Sequence, residues 1–249
     1  MATWRNMFDK RGTVPTALLT AALVGAWFLG RAVQPNMAIG FQLVAWLMLT
    51  LVLATLVTIA SVAGAMGSSP KDRPGGQPGA VAFFCYALIA DACGLLVLIF
   101  GLASNALTFV DCLQLYALLI VWLGFVAAAT AFLARFNVGL AVTLASTLSM
   151  ITLAAPVALV PIVRQLAGTP YQTQFVQAIT YFCPTLSMLE AIRPSITFAW
   201  AQMPVMYALT PLGQDVPMAL APWHMSLYVW GIPAVLITAG LLLLRRPAA

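Results

Sequence analysis

Apolar residues run through this sequence in blocks of helical length, and polar residues gather in short breaks between them. Six blocks predict membrane-spanning helices, because a hydrocarbon core about 30 Å thick takes roughly 20 apolar residues per helix. They cover residues 15–30, 39–66, 80–103, 112–133, 138–163 and 224–244. The first starts at Pro15, where a missing N–H is harmless in a first helical turn, and it reads as a retained span rather than a signal peptide. No charge falls between Ala32 and Pro70, so the second block has full length. The fourth and fifth are separated only by residues 134–137, which include Arg135 and Asn137, and this predicts an antiparallel hairpin. Pro156 and Pro161 are expected to bend the far end of the fifth.

The breaks are distinctive. Residues 67–79, GSSPKDRPGGQPG, combine turn formers with Lys71, Asp72 and Arg73 in the clearest polar loop of the chain. Residues 164–222 alternate apolar pieces with Arg164, Glu190, Arg193, Asp215 and seven prolines. Neither Phe175–Ile192 nor Ile196–Pro211 is a comfortable span, so both read as interfacial or re-entrant helices packed on protein, with a spanning hairpin as the alternative. Before the first span, Trp4, Met7 and Phe8 alternate with Arg5, Lys10 and Arg11 as in a short amphipathic helix lying in the interface.

The expected fold class is therefore all-α: a polytopic transmembrane helical bundle of about six spans, with re-entrant or interfacial helices before the last. Composition agrees, since 63% of the 249 residues are hydrophobic and 7% are charged, against about 25% charged in a soluble domain. The net charge of +5 bears on orientation rather than on nucleic acid. With six spans, Arg5, Lys10, Arg11, Lys71, Arg73, Arg135, Arg245 and Arg246 share one side, leaving Arg31, Arg164 and Arg193 on the other. The positive-inside rule then makes both termini cytoplasmic and turns residues 164–222 outward.

Candidate chemistry is sparse. Asp91 sits in the middle of the third span, where a carboxylate is expensive and normally meets a partner or a watery cavity; it either lines a substrate pathway or makes a structural bond. Glu190 and Arg193 share a helical face and are expected to pair, ending their helix before Pro194. His224 reads as an interfacial anchor beside Trp223. Cys85, Cys93, Cys112 and Cys183 lack ligand or disulfide spacing and read as buried free thiols. The chain has no GxSxG, GxxxxGK[ST] or HExxH motif and no aspartate cluster for magnesium. Lys10 and Lys71 both lie outside the spans, so no retinal Schiff base is available within them. Gly124 with Ala128, and Ala90 with Gly94, allow close helix packing.

The layout resembles that of the ABC-2 type permeases, the membrane subunits of certain ATP-binding cassette transporters. The matching features are the basic start WRNMFDKR, the long second span followed by SSPKDRPGG, the segment with YFCPTLSMLEAI between spans five and six, and the closing RR. The resemblance implies a subunit that is not itself an enzyme and carries no cofactor or metal, working with a separate ATP-binding subunit that uses ATP and Mg. It also implies a second permease chain, identical or related, a lipid environment, and residence in a plasma membrane such as a bacterial inner membrane. Arg5, Lys10, Arg11, Lys71, Asp72 and Arg73 would then contact the ATPase, and Asp91, Glu190 and Arg193 would line the substrate pathway toward an outward exit. Two other classes fit such a layout: a structural or assembly subunit of a larger membrane complex, and a membrane enzyme built around Asp91 or Glu190.

Overall fold

In lipid the backbone must satisfy its own hydrogen bonds, so long apolar runs without internal charge become helices. The computed structural model describes residues 13–34, 39–67, 78–195 and 221–243, and among these there is no strand. Five helices have the length and apolarity to cross a membrane: α1 (Thr13–Val33), α2 (Ile39–Gly67), α3 (Pro78–Ala103), α4 (Phe109–Ala134) and, last along the chain, α10 (Trp223–Leu243). The chain is thus a polytopic helical membrane bundle. The proposed amino-terminal helix, the loop with Lys71, Asp72 and Arg73, the second apolar piece 196–211 and the closing arginines lie outside the described residues.

The fifth block departs from a single span over 138–163. Its regular part, α5 (Val138–Leu153), has 16 residues, which at about 1.5 Å rise each falls short of a bilayer core. Asn137 caps its start by accepting from Leu140 N at 3.1 Å. Beyond Leu153 the chain continues as two short turns, α6 (Ala155–Ala158) and α7 (Val160–Gln165), each with a proline in its first turn. Pro156 and Pro161 cannot donate to the preceding turn, so the helix stops and restarts at each.

The first apolar piece of the 164–222 segment also differs from one continuous helix. It forms α8 (Tyr171–Phe182) and α9 (Pro184–Ile192), bent by 78° at the intervening residue. Cys183, preceding a proline, is extended at ψ 108, as the steric clash with the proline ring requires.

Helix α4 is the hub, in contact with α2, α3, α5, α9 and α10. Its Leu115, Leu118, Leu119, Trp122, Leu123 and Val126 are buried. Because lipid is as apolar as leucine, packing and interhelical hydrogen bonds, rather than expulsion of apolar groups from water, hold such helices together. The bonds are specific here. Trp122 donates Nε1–H to Thr55 Oγ1 at 2.9 Å, joining α4 to α2. Trp46 donates to the Leu23 carbonyl and Gln42 to the Trp27 carbonyl, each at 2.9 Å, joining α2 to α1. The Trp27, Trp46 and Phe100 rings meet at centroid distances of 4.9–5.7 Å and bring in α3.

Replacing Thr55 by Val keeps the side chain's shape but leaves the buried Trp122 indole N–H without its acceptor. The expected loss is about 1 kcal/mol, read as a lower unfolding temperature in detergent; an unchanged temperature would show that the bond contributes nothing.

Candidate functional site

Polar contacts join the described helices at both ends of α4 and along its length. At the end where α4 begins, Thr108 is the N-cap and Asp111 the third helical residue of a capping box. Asp111 Oδ2 accepts from Thr108 N and from Thr108 Oγ1, each at 2.7 Å. In return Asp111 N donates to Thr108 Oγ1 at 3.3 Å. The same carboxylate oxygen accepts from Ser195 Oγ at 2.5 Å, tying the chain after α9 to the start of α4. Asp111 is 5% exposed, the buried carboxyl group among the described residues, and it sits at a helix N-terminus, where acidic side chains are favoured.

The bent pair is fastened at further points. Ser187 on α9 and Ser226 on α10 share a hydrogen bond between hydroxyls. At the corner, Cys183 Sγ lies 2.8 Å from Thr185 Oγ1, and Thr185 donates to the Leu153 carbonyl at the end of α5 at 3.2 Å. Phe182 reaches into an aromatic group with Trp122, Phe125 and Trp230. The bent pair, with Ser195 just after it, is therefore held on the bundle by the Asp111 side chain of α4, the Leu153 carbonyl of α5 and the Ser226 side chain of α10.

Glu190 and Arg193 form the expected ion pair at 3.2 Å, with the Glu190 side chain 15% and that of Arg193 52% exposed. Oε2 of Glu190 is buried and has no hydrogen-bond partner among the described residues. Asp91 lies elsewhere. It is exposed on the middle of α3, where it accepts a hydrogen bond from the Tyr116 hydroxyl of α4. Among the described residues no hydrogen bond or ion pair joins Asp91 to Glu190 or Arg193.

The seam between α3 and α4 explains how Asp91 comes to this position. Tyr116 lies over Gly94, and Tyr86 donates to the Ile120 carbonyl at 3.0 Å with its hydroxyl against Gly124. Each helix thus supplies one tyrosine and one glycine, and each glycine receives the other helix's ring. Of the pairs Ala90 with Gly94 and Gly124 with Ala128, the glycines are the members that meet the neighbouring helix's tyrosine.

At the opposite end, Arg135 donates to the Leu241 carbonyl of α10 at 2.8 Å, placing a cation on the last turn of a helix. His224 is exposed, with its ring 6.0 Å from that of Trp223. All four cysteines are buried and none is in a disulfide.

Asp111, Thr108 and Ser195, and the Ser187–Ser226 pair, were not indicated by a search for charges inside spans. The capping box was nonetheless visible as Thr108-x-x-Asp111 ahead of an apolar run. Nothing in the sequence marks Ser195 as its partner, because that contact depends on how the bent pair folds back.

Comparison with protein-family models, with curated proteins and with solved structures finds no match to this chain. The class that the fold defines is that of a helical membrane protein with a bent helix pair fastened beside its central span.

Proposed function

We propose that this chain is the membrane permease subunit of an ATP-binding cassette transporter of the ABC-2 kind, moving a substrate outward with ATP hydrolysed, together with Mg, on a separate subunit. The observation that supports this reading best is the bent pair α8–α9, inserted before the last span and fastened to α4, α5 and α10 by Asp111–Ser195, Thr185–Leu153 and Ser187–Ser226. Such a segment shapes one mouth of the bundle. In this reading the mouth faces outward, the Glu190–Arg193 pair lies at its edge, and the cationic amino terminus with Lys71, Asp72 and Arg73 meets the ATPase inside. Asp91 then acts at the flank of the α3–α4 seam.

The second reading, a structural or assembly subunit of a larger membrane complex, draws on the outward-facing Asp91. A mild-detergent pull-down with mass spectrometry and an ATPase assay separates the two. The permease reading expects an equimolar nucleotide-binding subunit, ATPase activity in the purified complex, and less of that subunit when Lys71 and Arg73 are both changed to Glu. Recovery of membrane subunits alone would overturn it.

A further inference from the structure

A carboxylate in the middle of a membrane helix ordinarily faces the bundle interior, yet Asp91 is on the exterior. Its helix, α3, is apolar over Val81–Ala103, and its neighbours on the same stripe are Ala87 and the exposed Leu95. Across the seam, α4 presents the exposed Leu113 beside Tyr116. The Tyr116 hydroxyl gives Asp91 one donor, whereas an ionised carboxylate has about four lone-pair sites. The remainder face the depth at which no water and no lipid headgroup is present. A carboxyl group at that depth is costly unless a partner meets it.

We infer that the Asp91–Tyr116 face of the α3–α4 seam is a docking surface for a helix of a different membrane protein chain, one that brings a basic side chain to the middle of the bilayer. Charge complementarity selects this occupant over a second copy. A two-fold contact through this face would set one Asp91 against the other. No lysine or arginine of this chain lies in the interior of a described helix of spanning length: Arg31 is in the last turn of α1 and Arg135 follows α4. The remaining cations belong to the segments around or between the spans. A like chain therefore offers no counter-ion at the depth of Asp91. The rest of the face suits a helix, since Ala87 is small, and Leu95 and Leu113 supply apolar contact on either side. The inference does not depend on ATP coupling and holds for a permease or an assembly subunit alike.

The test places a photoactivatable benzoyl-phenylalanine at Leu95, one turn from Asp91, in the full chain expressed in its own membrane, with Leu148 on the exposed face of α5 as control position. The expected result is one protein adduct from Leu95, absent from Leu148, whose cross-linked span carries a lysine, arginine or histidine. Asp91→Asn retains an acceptor for Tyr116 and should lower adduct yield about tenfold, the size of a lost intramembrane polar contact. Exchanging the charges, Asp91→Lys here and an acid at the basic position of the partner, should restore it. Adducts with lipid alone, adducts with another copy of this chain, or a protein adduct insensitive to Asp91→Asn would each overturn the inference. None of these readouts uses ATPase activity, so failure here is distinct from failure of the transporter reading.

Discussion

Replacing Asp111 with Ala should lower stability by about 3 kcal/mol, the sum of a lost helix cap and of hydrogen bonds to a charged acceptor. Three donors converge on one of its oxygens: the amide and hydroxyl of Thr108 and the hydroxyl of Ser195. Alanine removes the acceptor for all of them at a buried position. Two readouts distinguish local from global damage. The unfolding temperature in detergent should fall, and protease cleavage after α9 should rise, because the tie between Ser195 and α4 is gone. Ser195→Ala keeps the capping box and should affect cleavage more than the unfolding temperature. If Asp111→Ala leaves both unchanged, the bent pair is held by other contacts and the anchoring role assigned to Asp111 is wrong.

Gly94→Ala is expected to cost about 2 kcal/mol through overpacking at the α3–α4 seam. A methyl group at Gly94 would overlap the ring of Tyr116, so the ring must swing out and leave Asp91 without its donor. The mirror change, Gly124→Ala, comes no nearer than 3.3 Å to the Tyr86 hydroxyl and 3.5 Å to its ring and should be milder. Gly64→Ala has open space and should alter stability by no more than about 0.5 kcal/mol. An unfolding series in detergent ranks the three; a ranking with Gly64→Ala lowest in stability would contradict the close packing at this seam.

The spans were legible because a membrane makes length and apolarity a direct signal: α2, α3 and α4 begin and end within a few residues of the apolar blocks. What periodicity supplies for a soluble helix was missing. These helices are apolar on every face, so nothing in the pattern shows which side of α3 meets protein, and Asp91 could not be assigned to interior or exterior from sequence. Tyr116 carries no charge and sits in an apolar run, which concealed it as the partner. The break at Cys183 was marked by Pro184, yet the apolar character continues across it and reads as one helix. Glu190 and Arg193 were legible as a pair because their contact is local. Asp111 with Ser195 joins residues far apart in the chain, and such contacts follow from the fold rather than from spacing.

The order in which the helices leave the ribosome gives the hub position of α4 a further meaning. When α4 enters the membrane, α2 and α3 have already been made, so Thr55 is present to receive Trp122 and the two tyrosine–glycine contacts can close at once. Its remaining face has no such neighbour. Trp230, which meets Trp122 and Phe125 at centroid distances of 4.9 and 4.8 Å, arrives only with α10. Throughout the synthesis of the bent pair, that aromatic flank is bare to lipid or to whatever attends nascent membrane chains, so it is the vulnerable surface of the half-made protein. Slow translation through residues 164–222 would lengthen that exposure without altering any contact of the finished bundle.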